Sequence, residues 1–236
     1  MSKAFAFIPA AGAGLRVGTV EPKQYREIAG RPLIHYALRT IAAHPRIERV
    51  YVVLAQRDSR FERYDWREFA GRIQPLYCGG ETRAASVLNG LLAARDALGA
   101  ADWVLVHDAV RPCLGRIALD RLFAELADDP TGGLMAVPVS DTLKRADPEA
   151  RVSNTEPRDN LWVAQTPQMF RYRLLLDALR AADPVLTTDE ARAVEGLGLK
   201  PKLVMGEARN IKVTYPEDIA LAELILMSTE SAEHRK

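Results

Sequence analysis

Residues 9–18 read PAAGAGLRVG and follow directly on a short apolar run. Gly12 and Gly14 let backbone N–H groups approach an anion closely, and an amide nest or helix N-terminus there favours negative charge. Gly18 falls one position late for GxGxxG, and no GxxxxGKS/T is present, so the loop is neither a dinucleotide fingerprint nor a P-loop. A glycine turn after a first strand is also common where no phosphate binds. Two cations sharpen the reading: Arg16 on the loop and Lys23 in EPKQY, with Pro22 stiffening the approach. A guanidinium forks across two oxygens and an ammonium acts as a point charge, a pairing suited to a polyphosphate. Two ordinary solvated cations are the alternative.

Three further segments carry chemistry. GGETRAAS (79–86) has a second glycine pair, Gly79 and Gly80, opening a helix with Ser86 in its first turns; a plain turn and N-cap would look the same. VHDAVRP (106–112) stands at the C-terminal end of an apolar strand, the end that faces the ligand crevice in open α/β sheets. Asp108 there suits a metal or a sugar hydroxyl, and Arg111 a phosphate. His107 reads as a packed or hydrogen-bonded histidine, because His35, His44, His107 and His234 form no cluster at metal spacing. The other polar candidates are Thr142, Arg158, Thr166 before Pro167, the run Thr187-Thr188-Asp189-Glu190, and Lys212 in NIKVT. The Thr-Asp-Glu run reads equally well as an N-cap with first-turn acids. No GxSxG elbow occurs, and Cys78 and Cys113 form no CxxC pair, so both read as buried free thiols of a reducing compartment.

These residues need a scaffold, and its rhythm is strand, helix, strand, helix. Residues 4–9, 49–55, 102–108, 133–139 and 202–205 read as strands. Helices are expected from Pro32 (Leu33, Ile34, Ala37, Leu38 and Ile41 inward), over 81–98, 116–127 and 171–182, and from Pro216 to about Met227. The tail TESAEHRK is expected to fray. Such alternation predicts an α/β, Rossmann-like, mostly parallel twisted sheet with helices on both faces. Between about 140 and 165 the pattern weakens into a polar stretch that would serve as a projecting arm or lid, or as a tolerated surface insertion. With 236 residues and no linker, the chain reads as one domain, 1–236, carrying that insertion.

Composition bounds the partners. Lys+Arg 32 against Asp+Glu 31 gives a net charge of +1, so nothing marks a nucleic-acid surface, and any anion must be held by a local cluster. No apolar run reaches the roughly 18 residues of a membrane span. The N-terminal apolar stretch runs into the glycine loop rather than a cleavage site, as in the first strand of a cytoplasmic protein.

Taken together, PAAGAGLR, PKQY, GGETRAAS, VHDAVRP, LWVAQTPQ, TTDEA and NIKVT resemble, in order and spacing, the 2-C-methyl-D-erythritol 4-phosphate cytidylyltransferase family of the non-mevalonate isoprenoid pathway, over residues 4 to 227. The resemblance implies transfer of the CMP moiety of CTP to the alcohol phosphate, with release of pyrophosphate and with Mg²⁺ clamping the triphosphate. A monoester with second pKa near 6 is largely dianionic, so the nucleophile needs no general base, and catalysis becomes charge neutralisation with in-line positioning. By the same resemblance Arg16 and Lys23 would stabilise the pentavalent transition state. Ala10, Ala11, Gly12, Gly80, Glu81, Ser86, Asp108 and Ala109 would surround the nucleotide, with Asp108 also open to the metal. Arg158 and Lys212 would hold the attacking phosphate, while Asp108, Arg111, Thr142, Thr166 and Thr188 would line the alcohol pocket.

The resemblance further implies a homodimer in which the 140–165 arm crosses over and completes the partner's site, and a chain without the synthase domain of fused versions. Val17 and Glu81 depart from the family's commoner methionine and aspartate. Three alternatives stay open or fail at this point. A cytidylyltransferase for another alcohol phosphate, such as ribitol 5-phosphate, shares the glycine loop and basic pair. A non-catalytic nucleotide-binding regulator would not need transition-state cations. A nicotinamide dehydrogenase fails on the glycine spacing.

Overall fold

The computed structural model describes residues 2–12 and 22–233, with side chains through Thr229; Gly14, Arg16, Val17 and Gly18 lie outside the described residues. In chain order the strands are β1 (Ala4–Pro9), β2 (Glu27–Ile28), β3 (Arg31–Pro32), β4 (Ile47–Val53), β5 (Ile73–Leu76) and β6 (Trp103–Val106). They continue with β7 (Gly133–Pro138), β8 (Leu143–Ala146), β9 (Val152–Glu156), β10 (Trp162–Arg171) and β11 (Lys202–Met205). The helices are α1 (Leu33–Ala42), α2 (Arg83–Ala93), α3 (Arg116–Leu126), α4 (Tyr172–Ala181), α5 (Glu190–Glu195) and α6 (Glu217–Glu233).

Seven strands form one sheet in the order β11-β7-β10-β6-β1-β4-β5. β1 pairs in parallel with β4 and β6, β4 with β5, and β7 with β11; β10 alone runs antiparallel, between β6 and β7. Alternation along β1 explains why this strand must be central. Ala4, Ala6 and Ile8 enter a core with Ile34, Leu38 and Ile41 of α1 and Leu119, Leu122 and Phe123 of α3. Phe5 and Phe7 enter the opposite core, with Val87 and Leu91 of α2, Leu175 and Leu179 of α4 and Val194 of α5. A strand apolar on both faces is stable only with a helical layer on each side. The Rossmann-like α/β expectation therefore holds.

The structure also corrects several boundaries. The helix expected over 81–98 is α2 followed by a 3₁₀ turn, because Thr82 Oγ1 accepts the Ala85 N–H at 3.1 Å and starts the helix two residues late. α6 runs to Glu233, through residues of the tail expected to fray. β5 escaped the pattern search because it is a short edge strand containing Pro75, a residue sheets tolerate at their edges.

The largest correction is β10. Its first residues belong to the stretch read as a polar arm, yet it is a ten-residue strand inside the sheet. Its pairing with β7 shifts register between Ala164 and Gln168, and Pro167, which has no N–H to donate, falls in that break. The rest of the stretch holds the antiparallel pair β8–β9, which forms its own two-stranded sheet with mostly exposed residues.

Candidate active site

The C-terminal ends of β1, β4, β5 and β6 meet on one edge of the sheet, and the motifs follow those ends. Ala10 donates its N–H to Val53 O at 2.8 Å, so the first loop leaves β1 already tied to β4. The buried Gln24 side chain then donates to Ala10 O at 2.7 Å and Gly12 O at 3.3 Å, pinning the start of the glycine loop to the turn that bears Lys23. Gly79 donates to Leu54 O at 2.8 Å, and a Cβ on it would stand 2.3 Å from Ala11 Cβ. The loop after β5 therefore runs against the Ala11 methyl group and the Leu54 carbonyl, and only glycine fits there. Ser86 Oγ accepts the Gly80 N–H at 3.0 Å and donates to Thr82 O at 2.9 Å, which holds the GGETR turn closed; Glu81 is exposed beside it. Both readings of that motif thus apply: a real cap at Thr82, and a glycine turn shaped by Ser86.

Beyond β6 lies a compact group of charges. Asp108 is 6 % exposed; its Oδ1 accepts from Arg83 Nε at 2.9 Å and its Oδ2 from Lys212 Nζ at 2.8 Å, with Arg111 Nε at 3.7 Å. Burial pushes the Asp108 carboxyl up, but the charges of Arg83, Lys212 and Arg111 outweigh it and hold the group well below the usual carboxylate range. Arg83 turns its other two nitrogens to Glu190, at 2.7 and 3.1 Å. Full burial pushes the Glu190 carboxyl up and Arg83 opposes this; the two-pronged contact is the geometry of an ionised pair. Three cations against two carboxylates leave the group with a net positive charge, suited to an incoming anion.

A second network orients this group. His107 is fully buried, and its Nε2 lies 3.1 Å from Arg111 O while Nδ1 lies 3.0 Å from Thr166 Oγ1. A carbonyl only accepts, so Nε2 carries the proton, and Nδ1 accepts from the Thr166 hydroxyl. Thr166 Oγ1 in turn accepts the Asp108 N–H at 3.0 Å. Desolvation drives the imidazole down to about 4, against the opposing charge of Asp108, so His107 is neutral and the chain has a single direction. Arg111 donates to Asn210 O at 2.7 Å, Asn210 Nδ2 donates to Thr166 O at 2.8 Å, and Val213 N–H donates to Val110 O at 2.9 Å. The NIKVT segment is thereby fastened along VHDAVRP, and Lys212 arrives at Asp108. Lys23 Nζ donates to Thr214 O in the same segment.

The structure thus brings together Asp108, Arg111, Thr166 and Lys212, and ties Lys23 to them through Thr214. Ala10, Ala11, Gly12, Gly80 and Ala109 sit on the neighbouring loops, and Ser86 in the first turn of α2. Thr188 is exposed just before α5. Thr142 and Arg158 are exposed on the arm side; Arg158 donates to Ser140 O, and neither residue bonds to the Asp108 group. Arg16 lies outside the described residues.

Asp108 is the residue that the sequence leaves open to a metal. Among the described residues no three His, Cys, Asp or Glu side chains converge, and both Asp108 oxygens are already engaged by cations. The donor set does not fit a magnesium ion held by the protein. Sequence reasoning missed Gln24, Arg83 and Asn210, and named Glu190 only within the Thr187-Thr188-Asp189-Glu190 run, with no role of its own. Arg83 and Glu190 did carry a signal: each lies at helical spacing on an apolar face, Arg83 with Val87 and Leu91, Glu190 with Ala193 and Val194.

An open, mostly parallel sheet with glycine turns and a cation-rich group at its strand C-termini suits an enzyme that binds a phosphorylated nucleotide. A family model described as "IspD: 2-C-methyl-D-erythritol 4-phosphate cytidylyltransferase" matches residues 4–228. The 2-C-methyl-D-erythritol 4-phosphate cytidylyltransferase of Nitrosospira multiformis is 59% identical over 228 residues, covering 96% of this chain and 98% of that protein. That of Dechloromonas aromatica is 59% identical over 226 residues, with 96% and 98% covered. Among solved structures, a 4-diphosphocytidyl-2C-methyl-D-erythritol synthase superimposes with a TM-score of 0.84 at 38% identity, covering 96% of this chain and all of that one. The Francisella tularensis 2-C-methyl-D-erythritol 4-phosphate cytidylyltransferase does so with 0.80 at 31% identity, covering 95% and 100%. The chain belongs to the 2-C-methyl-D-erythritol 4-phosphate cytidylyltransferase family.

Proposed function

We propose that this protein transfers the CMP moiety of CTP to 2-C-methyl-D-erythritol 4-phosphate, giving 4-diphosphocytidyl-2-C-methyl-D-erythritol and pyrophosphate. The observation that carries the residue assignment is the grouping of Lys212, Arg111 and Arg83 around Asp108, beside the loops that bear Gly12 and Gly80. A phosphate monoester is already largely dianionic at neutral pH, so its oxygen can attack the α-phosphorus without a base. The new P–O bond forms as the bond to the β-phosphate oxygen breaks, and the electron pair leaves with pyrophosphate. The obstacle is repulsion between two polyanions, and fixed cations lower it in both approach and transition state.

On this reading Lys23, with Arg16, neutralises the pentavalent phosphorus, and Lys212 and Arg158 hold the attacking phosphate. Arg111, Thr142, Thr166, Thr188 and Asp108 line the alcohol pocket. Thr166 spends its proton on His107, so it meets a substrate hydroxyl as an acceptor. Ala10, Ala11, Gly12, Gly80, Glu81, Ser86 and Ala109 enclose the nucleotide. Magnesium belongs to the nucleotide in this scheme, entering as the counter-ion of the triphosphate.

The chain acts as one nucleotidyltransferase domain, 1–236, with the stretch from about 140 to 161, ahead of β10, as an insertion. That stretch carries Thr142 and Arg158 to a second subunit, so the active form is a homodimer. A cytoplasmic location accords with the absence, among the described residues, of any helix long and apolar enough to cross a membrane. The test is pyrophosphate release from CTP and Mg²⁺ with 2-C-methyl-D-erythritol 4-phosphate, and with ribitol 5-phosphate in parallel. Release with the first alone is expected; release only with ribitol 5-phosphate, or with neither, would overturn the proposal.

A further inference from the structure

Glu190 lies outside every role assigned so far, although it is completely buried and charged. Its placement is over-determined. Asp189 caps α5 by accepting the Arg192 N–H at 3.0 Å, while Gln168 of β10 donates to Asp189 Oδ2 at 2.9 Å and accepts the Ala191 N–H at 2.7 Å. Two side chains and one strand thus hold the residue between them in a single position. The carboxylate so fixed meets Arg83 through two nitrogens, and Arg83 spends its third on Asp108. The partners lie 107 and 25 residues away along the chain, so the contact joins TTDEA to GGETRAAS and then to VHDAVRP. A buried ion pair is weak evidence for stability, since apolar residues of similar volume often serve as well. Its presence at the base of a charged site calls for another reason.

We infer that Glu190 and Arg83 are positioning residues: the pair fixes Arg83 so that it takes only one oxygen of Asp108 and leaves the other to Lys212 and Arg111. A guanidinium without Glu190 would close its fork on both Asp108 oxygens, the preferred arrangement for Arg and a carboxylate. Lys212 would then lose its 2.8 Å anchor and its aim. This inference rests on the proposed cytidylyl transfer, in which Lys212 receives the attacking phosphate.

The experiment compares wild type, Glu190→Gln, Arg83→Lys and the double variant. Steady-state kinetics with varied methylerythritol phosphate give kcat and KM for the alcohol phosphate, and calorimetry gives CTP affinity. Circular dichroism melting reports folding, and Arg83→Lys keeps the buried charge should Glu190→Gln fail to fold. Each single variant is expected to lose about tenfold in kcat/KM for the alcohol phosphate, on the scale of one misplaced charged contact, with CTP affinity within about twofold. The double variant should lose no more than the worse single, because both changes break one unit. Equal losses in CTP affinity and kcat/KM, multiplying losses in the double variant, or an unchanged kcat/KM would overturn the inference. Wild-type protein that releases no pyrophosphate with this substrate would instead overturn the functional reading on which it rests.

Discussion

Lowering the pH should weaken the fold through His107 in a way that can be worked out from its surroundings. The imidazole is fully buried, with Nε2–H committed to Arg111 O and Nδ1 accepting from Thr166. Desolvation takes it from the ordinary 6.5 to about 4. The unfolded chain therefore binds a proton first as pH falls, so the contribution is complete above about pH 6.5 and is lost between 6.5 and 4. At 1.36 kcal/mol per pKa unit, the loss is about 2 kcal/mol at pH 5 and about 3 kcal/mol in all. His35 and His44 are also pushed down by burial, so the quantity to measure is a difference. Urea unfolding of wild type and His107→Gln at pH 7 and pH 5 supplies it. The variant keeps an amide donor for Arg111 O and should start about 1 kcal/mol less stable at pH 7 for the lost partner of Thr166. Between the two pH values it should lose about 2 kcal/mol less than wild type. Curves that run parallel within about 0.5 kcal/mol would refute a neutral, buried His107.

Other predictions follow from the same geometry. Lys23→Ala and Arg16→Ala should each lower kcat by about 100-fold or more while CTP affinity changes by less than about threefold, since a group acting only on the pentavalent phosphorus is seen in turnover; equal losses in both would remove the transition-state role. Gly79→Ala places a Cβ 2.3 Å from Ala11 Cβ and 2.8 Å from Leu54 O, so the two nucleotide loops must separate. Its melting temperature should fall and its KM for CTP rise about tenfold, with unchanged steady-state kinetics as the contrary result. Mixing inactive Lys23→Ala and Arg158→Ala proteins should restore about a quarter of wild-type activity if the arm completes the partner's site, because half the dimers are then mixed and one of their two sites is intact. A mixture as silent as its components would confine each site to one subunit.

The residues whose chemistry is carried by type and spacing were legible in the sequence. PAAGAGLR and VHDAVRP each follow a strand run, and a sheet buried on both sides can expose polar motifs only at strand ends. That argument alone placed Gly12 and Asp108 on one edge; Gly80 joins them only because β5, hidden by its shortness and Pro75, lies beside β4. Alternation in AFAFIP and the helical stripe of Leu33, Ile34, Leu38 and Ile41 settled the layers, because local periodicity is set by backbone geometry that does not depend on distant partners.

Tertiary structure decided what depends on residues far apart in the chain. The helical spacing of Glu190 with Ala193 and Val194 marks it as inward-facing, but its partner is known only once Arg83, 107 residues away, is seen against it. The direction of the His107–Thr166 hydrogen bond follows from Arg111 O, which only the loop after β6 supplies. Likewise β10 defeats sequence reading because its polar residues Gln165, Thr166 and Gln168 are buried by partners on Glu207, His107 and Asp189. Hydropathy counts each residue as though it stood in water. Burial of a polar group becomes favourable only once its hydrogen-bond partner is in place, and that partner is a property of the fold.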